Sequence, residues 1–599
     1  MQMFDKASGL PACARAVRPA LLAVVVLLLS ACGGGNPAPD SPVAEAPTPQ
    51  IPVPSVPVPD VPVPEVPTPE IPAPDVPVPD VPVPEEPAPT GMGPTEAARL
   101  LSQSTFGPTY SEIQRLAAMS TPAYVDEQLA LPPSLHLPEC RLDSEALGMV
   151  KQHSRLYSWW KLSLTAPDQL RQRVALALSE IMVVSDISGI VDASQEGLCQ
   201  YYDLLIENAF GNYRPLIEKV ALTPQMGRYL SMFRNRKPNP VLGRRADENF
   251  AREVMQLFSI GTVLLNPDAT TTLDGAGKPI DSYTQEDIQN LARVFTGWSW
   301  AGSSFGNSEP AWLVPMQAFD EEHDTDSKVL VGGVNVPAGG TAAGDMAIAL
   351  DTLFQHPNLA PFISRQLIQK LVTSNPSADY VRRIAAVFGN NGSGVRGDLG
   401  AVVRAILLDD EARRGLSVNP NFGKVREPLL RQSHLWRALE AKPALNGRYS
   451  YSNALADLGQ QPLSSPSVFN FFSPGYAPQG EILSGGLVAP EFQLADESRV
   501  TGLNNRLYQS IYVDFAGNKA IARSAIRVDL SALMDLAADV PALIDRLDLL
   551  LMSGQMSGNF RTILSDHLQT ISVSDDAGCA RVQDAVYLVM SSPQYAVQH

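Results

Sequence analysis

Beyond residue 93, apolar side chains recur every three or four residues through most of the chain, the spacing of a helix with one buried face. Leu170, Val174, Leu178 and Ile181 follow Thr165-Ala-Pro-Asp168, a helix-start signal. Similar runs predict helices over 202–210, 248–260, 285–295, 345–355, 360–373, 378–388, 398–408, 427–440, 529–537 and 581–591. Strand signals are few. Lys328-Val-Leu-Val-Gly-Gly-Val-Asn-Val336 predicts a short hairpin. No repeat of 30–45 residues is evident, which argues against a solenoid. The pattern predicts a mainly α, multi-helix domain over 94–599 with few short strands, large enough to bury a core.

The first 93 residues follow other patterns. Residues 19–31 are an apolar run too short for a permanent membrane helix, preceded by Arg15 and Arg18. Leu29-Ser30-Ala31-Cys32 closes it and matches a bacterial lipoprotein cleavage box. Residues 1–31 are therefore expected to be a signal peptide, and Cys32 the lipidated N-terminus. Two or more acyl chains hold a protein firmly at a membrane. Gly33, where an aspartate would signal inner-membrane retention, favours the outer membrane. From Ile51 to Thr90 a five-residue unit with proline at alternate positions repeats eight times. Proline at that density removes backbone donors and fixes φ, so polyproline II is the remaining regular form. Residues 32–93 are thus expected to be a disordered or polyproline II stalk. At ~3.1 Å per residue the repeats would reach about 120 Å.

Charge and cysteine content narrow the picture. The chain carries −18, of which residues 1–31 contribute +2 and the linker −9, leaving about −11 on residues 94–599. Nucleic acid and anionic lipid headgroups are poor partners for such a chain. Of five cysteines, Cys13 leaves with the signal and Cys32 is lipidated. Cys140, Cys199 and Cys579 remain, an odd number that predicts one bridge and one free thiol. Cys140 and Cys199 are the preferred pair, since both lie in the N-terminal third.

The best-defined helix runs from Asp247, a candidate cap, to Gly261, a candidate stop. Asn249, Glu253 and Gln256 form a polar stripe beside its apolar face, with Arg252 one step round. Glu253 could serve there as general acid or base; Arg252 and Glu253 could equally be ion-pair partners between helices. Asp320-Glu-Glu-His-Asp-Thr-Asp326, followed by Lys328, is dense in ligands. His323 and Asp324 could act as an acid/base pair or bind a divalent cation, against the reading of a solvated acidic loop. Gly302-Ser-Ser-Phe-Gly306 has the form of a nucleophile elbow around Ser304 without its strand-to-helix context. Aromatic residues cluster at Tyr157–Trp160, at Trp298 and Trp300, and in Ser465–Tyr476, a proline-bounded loop. They are expected in the core, with loop members such as Tyr476 able to stack on sugars.

Several of these segments share a resemblance. Ala98–Gly107, the Asp247–Gly261 helix, Tyr283–Trp298, His323-Asp324 with Lys328, and Lys424-Val-Arg-Glu-Pro428 resemble, in order, a family of secreted bacterial proteins catalogued as domain of unknown function 1800. Where many members carry Glu-Leu-His-Thr-Leu-Gly, this chain has Gln256-Leu-Phe-Ser-Ile-Gly261, so Phe258 replaces a histidine. The family motifs pick out Asn249, Arg252, Glu253, His323, Asp324, Lys328, Arg426 and Glu427. The resemblance implies export, and the company of an exported protein similar to the phosphatase and sulfatase superfamily. It implies no reaction.

Two functions are compatible with this chain. One is an envelope-anchored hydrolase or lyase acting on a glycan or other polymer. Glu253, His323 and Asp324 would be its acid/base groups, and Asn249, Arg252, Lys328, Arg426 and Tyr476 its substrate contacts. The other is a non-catalytic lipoprotein that binds or assembles another exported protein. Convergence of Glu253, His323 and Arg426 in one cleft would favour the first, and scattered positions the second.

Overall fold

Many of the helices begin where a side chain can take over an unpaired first-turn amide. Thr109, Ser194, Thr284, Thr341, Ser377, Asp398 and Asp539 all cap helices in this way. The computed structural model describes residues 91–599, apart from 146–147, 303, 307–308, 445–446, 521–524 and 575. The expected signal peptide, Cys32 and the proline repeats lie outside the described residues. The fold is mainly helical. Eight short strands among the described residues make four two-stranded antiparallel ladders. No helix of the described residues is long and apolar enough to cross a membrane.

Most helices form where the periodicity places them. The helices that frame the candidate site are α1 (Gln152–Thr165), α2 (Gln169–Ser179), α3 (Asn249–Gln256), α4 (Gln285–Val294), α5 (Ala342–Gln355), α6 (Leu359–Leu371), α7 (Pro428–Ala438) and α8 (Cys579–Ser591). The helix expected over 248–260 stops early. The amides of Ile260 and Gly261 both turn back to the Met255 carbonyl, and Gly261 takes φ +69° to leave the axis. Its cap position falls on Glu248, while the Asp247 carboxylate still accepts the Asn249 amide at 2.9 Å. The run over 529–537 yields only Ser531–Met534. The expected hairpin forms, with β1 (Lys328–Leu330) against β2 (Val334–Val336). Near the C-terminus β3 (Lys424–Val425) pairs with β4 (Val597–Gln598).

The core surrounds α2, every residue of which is buried. Such a helix can carry polar residues only if each finds a partner. Gln169 donates to the Ser163 and Ala166 carbonyls, Gln172 to the Ser134 carbonyl, and Arg173 to the Lys370 carbonyl at 2.9 Å. Beside α2 stands an aromatic column. Trp159 and Trp160 of α1 meet edge to face at 4.9 Å, and Trp160 meets Trp436 of α7 at the same distance. Tyr451 closes against both Trp160 and Trp436, and its carbonyl accepts the Trp160 indole N–H at 3.1 Å. These tryptophans, with Trp298 and Trp300, are core residues, as expected.

Truncating this column tests how far the fold leans on it. Trp160→Ala is expected to lower stability by about 3–5 kcal/mol, measured by urea denaturation.

Candidate functional site

The residues singled out from sequence fall into separate places. Asn249 is exposed in the first turn of α3, and Arg252 pairs with Glu248 at 3.3 Å on the surface. Glu253, on the same helix, is buried. Its Oε2 has no hydrogen-bond partner, and burial raises its pKa against the pull of Arg252. Phe258, the histidine replacement, is wholly buried; its carbonyl accepts from the Tyr213 hydroxyl.

His323, Asp324 and Lys328 form a buried hub rather than a solvated acidic loop. His323 Nε2 meets Asp345 Oδ2 at 3.1 Å, and its Nδ1 meets the Thr296 hydroxyl and carbonyl. Lys328 Nζ donates to Asp345 Oδ2 at 2.7 Å and to the carbonyls of Asp324 and Asp326. Asp324 takes a two-pronged bond from Arg293, both distances 2.9 Å. Arg293 of α4 and Asp345 of α5 thus tie the segment from His323 to Lys328 to both helices, and their own neighbours satisfy these groups. Arg426 is buried far along the chain. It donates to the Tyr595 and Val597 carbonyls and lies over the Tyr595 ring, which pins the C-terminal strand. Among the described residues Glu253, His323 and Arg426 share no hydrogen-bond or ion-pair partner. Among the described residues no group of three or more His, Cys, Asp or Glu side chains could hold a metal ion.

Cys140 and Cys199 are joined by a disulfide, but Cys579 is not the free thiol their count suggested. The helix a nucleophile elbow needs is not found after Ser304: among the described residues none follows it before the single turn at Asp320–Glu322. Tyr476 is half-buried, its carbonyl accepting the Ala489 amide.

The structure assembles a different constellation. Three carboxylates (Glu180, Glu427, Glu491) and three cations (Arg173, Lys370, Lys424) are buried together where α2, α6, β3 and α7 meet. Lys370 Nζ lies 2.7 Å from Glu180, and Lys424 Nζ 3.3 Å from Glu491 and 3.6 Å from Glu427. The Gln460 amide bridges the acids, donating to Glu427 at 2.6 Å and Glu180 at 3.1 Å. Lys370 also sits 3.9 Å from the centre of the Phe472 ring.

Two carboxylates in contact cannot both ionise cheaply, and their helices decide which one does. Glu180 caps the C-terminal, negative end of α2, whereas Glu427 caps the N-terminal, positive end of α7. Burial, reinforced by the charge of Glu427, pushes Glu180 up to about 7. Burial opposes ionisation of Glu427 too, but Lys424, Lys370 and Arg173 outweigh it and hold it down at about 2. Below about pH 7 the pair is therefore a neutral acid beside an ionised base.

Glu180 is the member that reaches a pocket. Leu176, Ser179 and Leu429 line it beside Glu180, and residues 460–471 cover it. It has room for about one water molecule. The cover is a strained loop: Leu463 and Asn470 have φ of +56° and +65°, costly for residues with a side chain. Arg155 and Asp186 over-determine it. They form a buried ion pair at 2.6 Å; Arg155 holds the Pro462 carbonyl, and Asp186 takes the Ser464 hydroxyl. Ser185 holds the Ser465 carbonyl at 2.6 Å. On the rim, Tyr229 hydrogen-bonds Ser465 and senses the charge of Glu253. Burial first, then Glu253, pushes its hydroxyl up to about 12. Of the residues expected from sequence, Glu427 belongs to the acid pair, the loop from Ser465 contributes to the cover, and Glu253 reaches the site only through Tyr229.

With this geometry in hand, comparison with known families becomes informative. The family described as "Protein of unknown function (DUF1800)" matches residues 99–597. The chain belongs to this family. Comparison with curated proteins and with solved structures finds no match. This DUF1800 chain thus keeps its motif residues His323, Asp324, Lys328 and Arg426 as braces of the fold. Glu427, also in a motif, belongs to the buried acid pair.

Glu180 gives a signed pH effect. A carboxyl whose folded pKa is raised from 4.5 to about 7 keeps its proton in the folded state while the unfolded chain ionises, so its stabilising contribution is lost as pH climbs through that window. Glu180→Gln removes the loss. Its melting temperature relative to wild type is expected to rise between pH 4.5 and 7 and to level off above; thermal scans across pH check this. Asp186→Ala strands Arg155 and frees the cover. It is expected to cost about 3–5 kcal/mol and to raise amide exchange over 460–471.

Proposed function

We propose that this protein is exported, anchored by lipid at Cys32, and uses the Glu180 pocket for acid–base cleavage of an extracytoplasmic glycan or other polymer. The outer membrane is the proposed site of the anchor, and the proline repeats are the spacer that lifts residues 94–599 from it. The observation that carries the catalytic reading is the neutral Glu180 on the pocket floor, bridged by Gln460 to the ionised Glu427. A carboxylic acid with pKa near ambient pH can protonate a leaving oxygen, and its anion can then accept a proton from water or from a carbon. Glu427 supplies the fixed negative charge that keeps Glu180 protonated, and the lysines beneath supply the compensating field. The polymer would be cleaved as a hydrolase or lyase does, with the 460–471 loop displaced to admit it.

A non-catalytic binding or assembly role is the second reading, with an exported phosphatase- or sulfatase-like protein as the proposed partner. What favours it is that Glu253, His323 and Arg426 do not converge, and that His323, Asp324, Lys328 and Arg426 are engaged in hydrogen bonds and ion pairs that brace the fold.

Turnover of peptidoglycan or soluble polysaccharides by the purified protein separates the readings. Glu180→Gln is expected to cut the rate by about 10²–10⁴-fold, and wild-type activity to fall as pH rises above 7. Equal rates in both proteins would remove Glu180 from catalysis. Cys32→Ser is expected to abolish lipid labelling and shift the protein from the membrane to the soluble fraction.

A further inference from the structure

The most exposed large apolar side chains of the described residues stand side by side at the tip of one loop. Val241 is 93% exposed and Leu242 71%. Core-forming residues left bare in this way call for an explanation when neighbouring side chains share one chemistry, and here they do. Arg234, Arg236, Lys237, Arg244 and Arg245 lie within 234–245, a segment with no acidic residue. Arg236 pairs with Glu322 at 3.4 Å. Lys237, Arg244 and Arg245 have no carboxylate partner among the described residues, and Lys237 and Arg245 are exposed. Asp247 and Glu248 follow the segment, with Glu248 engaged by Arg252 and Gln285.

The loop is also rigid. Asn239 and Arg244 exchange both backbone bonds, at 2.9 and 3.0 Å. Asn239 Oδ1 caps the Leu242 amide at 3.1 Å, and Gly243 turns the chain at φ +62°. The Lys237 amide is held by the Glu322 carbonyl, and Arg244 Nε by the Lys237 carbonyl. Asn235 and Asp247 close the base through two further bonds, at 2.8 and 3.0 Å. A tip this ordered pays little conformational entropy on docking.

We infer that the 236–245 loop docks on an anionic phospholipid surface, with Val241 and Leu242 entering the acyl boundary and Lys237, Arg244 and Arg245 meeting phosphate. An apolar tip collared by cations matches the two layers of such a surface in order, apolar within and anionic without. The chain's net charge of −18 predicts the opposite, because it averages over a surface on which this patch is local. The contact is independent of both Cys32 and the Glu180 pocket. It would let the domain touch down on a leaflet within reach of the stalk.

Residues 91–599 carry their own core and lack the expected anchor, so they are the protein to test. Co-sedimentation with phosphatidylglycerol-containing vesicles, and with pure phosphatidylcholine vesicles, reads the contact. Wild type is expected to pellet with the anionic vesicles, less as salt rises. Val241→Asp with Leu242→Asp is expected to lower the vesicle affinity at least about tenfold. Lys237→Glu with Arg245→Glu should do the same, since each basic side chain near such a surface is worth roughly fivefold. Both pairs of sites are exposed, so circular dichroism should be unchanged. Val241→Trp should show a blue-shifted emission with anionic vesicles only. Equal pelleting by wild type and Val241→Asp/Leu242→Asp, no pelleting at all, or loop-dependent capture of an acidic protein in place of vesicles would overturn the inference.

Discussion

The burial of Glu180, Glu427 and Glu491 with Lys370, Lys424 and Arg173 is the constraint on which the rest of this structure depends. Taking six ionisable groups out of water is costly, and their mutual attraction offsets the cost only if every distance is short. Lys424 lies 3.3 Å from Glu491 and 3.6 Å from Glu427, and Lys370 reaches Glu180 at 2.7 Å whether or not that acid carries its proton. They also fix which elements must meet: the end of α2, the body of α6, the β3 strand, the start of α7 and the loop from Gln460. Lys424 belongs to the strand that receives β4, so the same cluster sets where the chain's last residues pair. Removing one partner would leave an uncompensated charge in a dry interior.

The same cluster explains why a strained loop persists above it. Leu463 and Asn470 hold backbone angles that cost free energy. Arg155, Asp186, Ser185 and Gln460 each bond to that loop or to its partners, and the network makes the strained shape the lowest available. Strain over a pocket that contains a proton-bearing carboxyl is the local irregularity expected where function competes with stability. Elsewhere the polar motif residues work in the ordinary way. His323 and Lys328 share Asp345, Asp324 takes Arg293, and together they clamp the segment leading into the hairpin to two helices.

The candidate site was only partly legible in the sequence. Glu253 was found from its place on a polar stripe, and Glu427 from the Lys424-Val-Arg-Glu-Pro428 motif. Glu180 carried a weaker signal: a lone carboxylate between Leu178 and Ile181-Met-Val-Val184, where an acid must be buried. Lys370, just before Leu371-Val372, carried the same one. A charge embedded in an apolar run says that a partner exists but not where it lies in the chain, and here the partner stands 190 residues away. His323 and Asp324 stood out by their density of ligand-type residues, which is equally the signature of the buried structural network they form.

Local rules therefore account for what the sequence determined alone. Apolar spacing predicted most of the helices, glycines and strand-type residues predicted the β1–β2 hairpin, and proline alternation separated the first 93 residues from the domain. These depend on neighbours within about one helical turn or one hairpin, and the order of residues contains them. The tertiary structure decided which charges share a cavity, which acid keeps its proton, and which apolar pair is left bare at Val241 and Leu242. Those outcomes depend on desolvation and on fields from helix ends that folding brings together. The same side chains, spaced the same way, would behave otherwise in any other packing.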